Sequence, residues 1–181
     1  MSDVALHSNL PQLNTLSVCS GVGGLDIGLA AALRRAGFAP RTVCYVEREA
    51  YAASVLVSRM EEGRLDLAPV WSDLSTFDAR PWAGLVDCVV GGIPCQPFSV
   101  AGKQRAHEDE RHLWPYVADI VRVLEPRFVC IENVAGHLAT GTPDVVRELQ
   151  GMGYRTAATL WRAEEVGAPH RRERIFIVGV R

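Results

Sequence analysis

A cysteine between two prolines is the side chain of this sequence best suited to nucleophilic chemistry. Cys95 stands in the segment Pro94-Cys95-Gln96-Pro97, after the apolar run of residues 86–90 and a Gly-Gly pair. Proline fixes the backbone φ angle and lacks an N–H donor, so this segment cannot continue a strand. A thiol held rigidly at the end of a strand can attack an electrophile as its thiolate. The alternative is a structural cysteine in a turn.

The other four cysteines lie in apolar runs, where a cysteine usually acts as a small buried hydrophobic side chain. They are Cys19, Cys44, Cys88 and Cys130. The total of five is odd and contains no Cys-x-x-Cys pair, which argues against a disulfide framework and against a zinc site. We therefore expect no bound metal.

A carboxylate follows another apolar run. Glu132 comes directly after residues 128–131, so partial burial is expected to raise its pKa and suit it to carrying a proton. The alternative is that Glu132 caps the following segment, residues 134–138.

Two arginines precede the last apolar run. Arg172 and Arg174 alternate with Glu173, so in an extended strand their guanidinium groups would lie on one side. Such a pair could bind a carbonyl, a carboxylate or a phosphate. The alternative is a solvated charged surface.

A glycine-rich turn and two further carboxylates suggest a cofactor site. Residues 20–24 (Ser-Gly-Val-Gly-Gly) lie between a predicted strand and a predicted helix, where glycine lets the backbone approach a ligand. Glu47, at the end of the next strand, could accept hydrogen bonds from ribose hydroxyls. Asp73 could accept one from an adenine amino group, or it could cap a turn. This pattern suits NAD, FAD and S-adenosylmethionine equally, and the glycines alone also fit an ordinary tight turn.

The elements that must position these residues alternate between apolar strands and amphipathic helices. The fold class is therefore α/β, with a mostly parallel sheet and an antiparallel final strand pair that has no helix between its members. Ligands of such sheets bind beyond the carboxyl ends of the strands, and the singled-out residues lie at those ends. The predicted strands are residues 16–19, 42–46, 86–90, 128–131, 156–161 and 175–180, and the predicted helices are residues 24–36, 49–61, 112–124 and 143–152.

Composition sets the broad class of protein. The 181 residues are 48% hydrophobic and 22% charged, which fits one globular domain at residues 15–181 after a polar tail at residues 1–14. No apolar run approaches the roughly 20 residues that span a bilayer, and the tail lacks the features of a secretory signal. An intracellular protein is expected. The net charge of −2 gives no overall electrostatic case for nucleic acid, so any DNA affinity must come from a local patch or a partner.

In their order along the chain, these segments resemble the motifs of the cytosine-5 DNA methyltransferase family. The resemblance covers about residues 15–181, and its most specific parts are the cysteine and Glu-Asn-Val motifs. The matching segments are residues 21–24, Glu47 and Asp73 for the three cofactor motifs, residues 94–99 for the nucleophile, Glu132-Asn133-Val134 for the Glu-Asn-Val motif, and Arg172-Glu173-Arg174 for the Arg-x-Arg motif.

The resemblance implies the Rossmann-like fold of S-adenosylmethionine-dependent methyltransferases and a covalent mechanism. Cys95 would add to C6 of a cytosine flipped out of DNA, while Glu132 would hydrogen-bond or protonate N3. The methyl group would then pass from S-adenosylmethionine to C5. Arg174, supported by Arg172, would contact the base carbonyl.

The resemblance also implies ligand contacts. Residues 99–111 look like the family's mobile loop, which closes over the flipped base. The implied cofactor residues are Cys19, Gly21, Val22, Gly24, Glu47, Asp73, Gly92, Pro94 and Leu113, and the implied DNA contacts are Ser99, Lys103, Gln104 and Arg105.

The sequence departs from the family pattern in two places. Cys19 stands where the family usually has a phenylalanine that packs on adenine, so it offers less contact area. The family's target-recognition region and closing motif are also missing from these residues. We therefore expect a second polypeptide to supply recognition, in the cytoplasm of a bacterial or phage-infected cell and in a role such as restriction-modification. The alternatives are an inactive, truncated binding module and a tRNA cytosine-5 methyltransferase.

Overall fold

A computed structural model of the chain describes residues 10–93, 113–136 and 141–181. Within these ranges seven strands form one sheet, and four α-helices pack against it. Three short 3-10 helices complete the described elements, at Leu74–Thr76, Arg80–Trp82 and Ala163–Val166. The strands and α-helices are, in chain order, β1 (Gln12–Val18), α1 (Gly24–Arg35), β2 (Ala39–Val46), α2 (Ala50–Glu61), β3 (Val70–Trp71), β4 (Cys88–Gly92), α3 (Trp114–Leu124), β5 (Phe128–Val134), α4 (Thr142–Gly151), β6 (Arg155–Arg162) and β7 (Glu173–Val180).

The sheet has the strand order β3-β2-β1-β4-β5-β7-β6. All neighbouring strands are parallel except β7, which runs antiparallel to both β5 and β6. The predicted α/β class, with a mostly parallel sheet and an antiparallel final pair, is confirmed. Strands joined by a short connection can only be antiparallel neighbours, because a parallel pair needs a long crossover.

The strands differ from the predicted boundaries, most clearly at β1 and β4, and β3 was not among the predicted strands. β1 begins at Gln12, inside the stretch expected to be a polar tail, because its first residues pair with the start of β2 at Ala39. β3 has only two residues and is held by pairing with the end of β2. β4 extends through Gly92 because Gly91 and Gly92 continue the ladder with β5. These differences arise from pairing between distant segments, which local periodicity does not report.

The two faces of the sheet differ in character. The main hydrophobic core lies on the face covered by α3 and α4, where Val117 and Leu149 pack with strand residues such as Val18 and Val129. A smaller apolar cluster joins β2 to α2. Next to it, α1 brings the buried, polar side chain of Asp26 against the sheet. The site-bearing edge of the sheet is thus anchored by helices on both faces.

Two kinds of feature are not found in the described ranges. No helix there is long and apolar enough to cross a membrane. No group of three or more His, Cys, Asp or Glu side chains there is arranged to hold a metal ion.

Gly91 is expected to be essential for stability. It lies between β1 and β5, and a Cβ added to it would lie 2.6 Å from Val18 Cγ2 and 2.7 Å from the Val18 carbonyl oxygen. The main chain cannot move aside without breaking the ladder, so Gly91→Ala should lower the free energy of unfolding by about 1–3 kcal/mol or more. Urea denaturation measures this loss.

Gly28→Ala is the matched control. Gly28 lies in α1, and a Cβ there meets no atom within 4 Å. Alanine should raise the free energy of unfolding there by roughly 0.5–1 kcal/mol. Equal stability of Gly91→Ala and the unaltered chain would contradict the packing argument.

Candidate active site

A pocket of about 1020 Å³ opens at the carboxyl ends of the parallel strands β1 to β4. Its walls come from residues just after these strands and from the start of α3. The residues that line it are Cys19, Gly21, Val46, Glu47, Arg48, Glu49, Ala50, Asp73, Leu74, Ser75, Gly92, Leu113 and Tyr116. Six of the residues expected to bind a cofactor, from five separate segments of the sequence, are thus brought together.

Backbone amides fix the carboxylate of Glu47 at the pocket wall. Gly21 N–H donates to Glu47 Oε2 at 2.6 Å, and Glu49 N–H donates to Glu47 Oε1 at 2.7 Å. Each carboxylate oxygen can accept more than one hydrogen bond, so both keep capacity for a ligand hydroxyl. Glu47 therefore connects the glycine-rich loop to the end of β2 while presenting acceptors to the pocket.

Asp73 caps a turn and also lines the pocket. Its Oδ1 accepts hydrogen bonds from Ser75 N–H at 2.9 Å and from the Ser75 hydroxyl at 2.7 Å, at the start of the 3-10 helix Leu74–Thr76. These bonds from Ser75 hold the pKa of the Asp73 carboxyl below its usual value. The capping alternative is confirmed, and the carboxylate is an ionised acceptor at the pocket.

Cys19 forms an apolar part of the wall. Burial, and then the nearby Glu47 carboxylate, raise the pKa of its thiol to about 12, so the thiol stays neutral at physiological pH. Its φ angle of +49° turns the chain from β1 into the glycine-rich loop, a conformation uncommon for a residue with a side chain. Cys19 therefore offers packing surface rather than a reactive thiolate.

Two predicted cofactor residues in the loop, Val22 and Gly24, do not line the pocket. Val22 is 39% exposed, and its carbonyl accepts a hydrogen bond from the Arg59 guanidinium. Between them, Gly23 has a φ angle of +78°, and a Cβ there would lie 2.6 Å from Leu65 Cδ1. The middle of the glycine-rich loop therefore forms a tight turn, as the alternative interpretation expected, whereas Gly21 lies at the pocket.

An ion pair between Arg174 and Glu132 lies beside the pocket. Arg174 Nε contacts Glu132 Oε1 at 2.7 Å, and the two side chains are 23% and 24% exposed. Glu132 lies opposite Gly92 in the β4–β5 ladder, and a Cβ on Gly92 would lie 3.2 Å from Glu132 Oε2. Because β5 continues through Val134, Glu132 lies within a strand and the helix-cap alternative is wrong.

Arg172 does not share the strand of Arg174. It precedes β7, is exposed and has a φ angle of +21°, while its carbonyl accepts a hydrogen bond from Ala163 N–H at 3.2 Å. The expectation that both arginines lie in one extended segment is wrong, because the β6–β7 connection turns at this point. Of these two arginines, only Arg174 lies on β7, where it contacts Glu132.

Comparison with known families agrees with this arrangement. Residues 13–181 match the family described as C-5 cytosine-specific DNA methylase. The chain belongs to this family.

Individual relatives of this chain are longer than it is. The type II methyltransferase M.NaeI of Lentzea aerocolonigenes is 31% identical over 175 residues, which cover 94% of this chain and 40% of the relative. M.NgoMIV of Neisseria gonorrhoeae, also a type II methyltransferase, is 30% identical over 174 residues, or 94% of this chain and 52% of the relative. The chain thus spans about half the length of the curated relatives it matches.

A solved structure has the same fold as this chain. The Entamoeba histolytica methyltransferase EhMeth superposes with a TM-score of 0.76 at 18% identity, over 93% of this chain and 53% of that one. At this identity the likeness shows the fold alone.

Six predicted site residues lie outside the described residues. They are Pro94, Cys95, Ser99, Lys103, Gln104 and Arg105. In the sequence, Cys95 comes two positions after Ile93. The N–H of Ile93 donates to the Glu132 carbonyl at 3.1 Å. The roles of these six residues remain predictions.

Several polar residues of the pocket were not predicted from the sequence. Arg48 and Glu49 directly follow Glu47, and Tyr116 lies in the first turn of α3. Helical spacing offered a signal for Tyr116, since residues three apart lie on one side of a helix and Leu113 was already singled out. No comparable signal exists for Arg48 or Glu49, because charged residues after a strand are usually solvated.

Proposed function

We propose that this chain is the catalytic part of a DNA cytosine-5 methyltransferase, which transfers the methyl group of S-adenosylmethionine to C5 of cytosine. The observation that carries the proposal is that the pocket and Glu132 meet at Gly92. Gly92 lines the pocket and stands opposite Glu132 in the sheet. A methyl donor in the pocket would therefore lie one strand away from a carboxyl group that can act on the base.

The pocket residues fit S-adenosylmethionine chemically. Glu47 and Asp73 supply the acceptors that ribose hydroxyls and an adenine amino group need. Cys19 and Leu113 add apolar wall for the adenine ring. When bound, the cofactor's sulfonium supplies the electrophilic methyl group.

The chain's own residues would make cytosine reactive. The Cys95 thiolate adds to C6 and forms a carbon–sulfur bond, while Glu132 hydrogen-bonds or protonates N3 so that the ring accepts the added electrons. C5 then takes up the methyl group. Loss of the C5 proton to a base restores the double bond and expels the Cys95 thiolate. Arg174 holds the Glu132 carboxylate and would contact the base carbonyl, with Arg172 in support.

DNA binding would need residues beyond the pocket. The cytosine must leave the stack to reach the site, and we assign the adjoining phosphate contacts to Ser99, Lys103, Gln104 and Arg105. A net charge of −2 gives the chain no overall electrostatic attraction to DNA. We propose that a second polypeptide contributes to recognition of the target.

Trapping the covalent adduct tests this function. The chain, alone and with candidate recognition polypeptides, is incubated with S-adenosylmethionine and DNA that contains 5-fluorocytosine. Fluorine at C5 blocks loss of the proton, so a denaturation-resistant protein–DNA adduct should accumulate. The same DNA with ordinary cytosine should give methylated product without an adduct. If calorimetry shows cofactor binding but no pairing gives an adduct, the proposed methyl transfer is wrong.

A further inference from the structure

A buried carboxyl lies beneath the glycine-rich loop, outside the pocket. Asp26, in the first turn of α1, is only 5% exposed, and its Oδ1 finds no hydrogen-bond partner in the part of the chain that the structure describes. A buried polar atom without a partner destabilises the fold, so its presence calls for an explanation.

Among the described residues, no group that interacts with Asp26 carries a positive charge to pair with it. Ser17 on β1, Tyr45 on β2 and Cys88 on β4 are the polar or titratable groups that interact with it. Burial raises the pKa of Tyr45 to about 12 and raises that of the Cys88 thiol as well, so both stay neutral. Burial also raises the pKa of the Asp26 carboxyl to about 6, with Ser17 and the backbone N–H of Asp26 partly offsetting this effect.

Two serine hydroxyls connect this carboxyl to the pocket. Ser17 Oγ–H donates to Ser20 Oγ at 2.8 Å, and Ser20 Oγ lies 3.2 Å from the Ser17 carbonyl oxygen. Ser20 directly precedes Gly21, whose N–H holds Glu47 Oε2 at 2.6 Å. Because Ser17 also interacts with the Asp26 carboxyl, these contacts and the Ser20–Gly21 peptide bond link Asp26 to the carboxylate in the pocket wall.

The direction of the serine hydrogen bond depends on the proton of Asp26. Ser17 has one hydroxyl hydrogen, so it cannot donate both to an ionised Asp26 and to Ser20. When Asp26 is protonated, its own O–H can donate to Ser17 Oγ, and the bond from Ser17 to Ser20 is kept. A protonated Asp26 therefore leaves the hydroxyl hydrogen of Ser17 available for the 2.8 Å contact with Ser20.

We propose that Asp26 is a positioning residue for the pocket, whose buried carboxyl sets the Ser17–Ser20 hydrogen bond and through it the placement of Gly21 and Glu47. The effect on cofactor binding rests on the proposed function, whereas the effect on Gly21 does not. Protonation of Asp26 should strengthen S-adenosylmethionine binding, because the loop then holds Glu47 in its observed place.

Calorimetric titration with S-adenosylmethionine between pH 5 and pH 8 tests the binding effect. The Kd of the unaltered chain should rise about fivefold across this range, the scale of one neutral hydrogen bond. In Asp26→Asn the amide can donate to Ser17 at every pH, so that part of the pH dependence should vanish. Asp144→Asn is the matched control, since Asp144 also lies in the first turn of a helix but is exposed. It should keep the pH dependence of the unaltered chain.

A ligand-free readout separates this inference from the proposed function. The amide NMR signal of Gly21 should shift with a midpoint near pH 6 in the unaltered chain. The shift should disappear in Asp26→Asn and in Ser17→Ala. If Asp26→Asn does not fold, Ser17→Ala alone provides the test. The positioning role is overturned if the Gly21 signal of the unaltered chain does not titrate near pH 6. It is also overturned if the signal still titrates in both Asp26→Asn and Ser17→Ala. Absence of cofactor binding at every pH, together with a titrating Gly21, counts against the proposed function only.

Thermal unfolding tests whether folding raises or lowers the pKa of Asp26. The pKa of Asp26 is raised in the folded state from an ordinary value of 3.8 to about 6, so the folded state binds the proton more tightly. The Tm of the unaltered chain relative to Asp26→Asn should therefore fall as pH rises from about 4 to about 6, and then level off. A difference that grows in the opposite direction would show that Asp26 is not held protonated by burial.

Discussion

Cys95→Ser is expected to form no trapped adduct with 5-fluorocytosine DNA and to lower kcat by about 10⁴-fold or more, the scale on which enzymes respond to loss of a nucleophile. A serine hydroxyl is not ionised at neutral pH and has no assigned base here, so it cannot add to C6 as a thiolate does. Adduct formation is measured by denaturing electrophoresis, and methyl transfer with labelled S-adenosylmethionine.

Cys130→Ser controls for the loss of a thiol as such. Cys130 is half-buried on β5, and burial raises the pKa of its thiol to about 11, so it is unreactive at physiological pH. This variant should trap DNA like the unaltered chain. Cofactor affinity should be the same in both variants, because each substitution replaces one sulfur atom by oxygen and Cys130 does not line the pocket. Equal trapping by Cys95→Ser and the unaltered chain would exclude the covalent role of Cys95.

Glu132→Gln is expected to lower kcat by roughly 10²–10⁴-fold, the usual contribution of a general acid. Glutamine keeps the size of the side chain, but its amide is not acidic and cannot pass a proton to N3 of the base. It also removes the charge that pairs with Arg174 at 2.7 Å, so the guanidinium loses the partner that orients it. The cofactor Kd should change little, because Glu132 lies beside the pocket wall rather than in it.

Glu125→Gln is the matched control for the loss of a paired glutamate. Glu125 forms an ion pair with Arg181 at 2.9 Å, and both side chains are more exposed than those of the Glu132–Arg174 pair. Surface pairs of this kind contribute little to stability, so the control should keep its activity and fold. A Glu132→Gln variant with unchanged kcat, measured at saturating cofactor and DNA, would remove Glu132 from the chemistry.

Much of the fold and site could be predicted from local patterns. Runs of Val, Ile and Cys separated by amphipathic segments indicate a buried parallel sheet, because both faces of its strands are covered. Polar residues at the ends of these runs, such as Glu47 and Asp73, must then meet at one edge of the sheet, and they do line one pocket. Short-range periodicity and chain order carry this information.

The tertiary structure decided how those residues act on one another. The contact between Arg174 and Glu132 depends on β7 lying antiparallel to β5, more than 40 residues away in the sequence. Arg172, two positions earlier, has no such contact because the chain turns there.

Burial was likewise decided by packing. In the sequence, Asp26 resembles an ordinary acidic residue in the first turn of a helix, where it would interact favourably with the helix dipole in water. Only the docking of α1 on the sheet removes it from solvent and places it next to Ser17. The sequence by itself therefore determined which residues lie at the working edge of the sheet, because their positions follow from local pattern. The ion pair, the turn at Arg172 and the buried carboxyl depended on contacts between distant segments, which only the folded chain brings together.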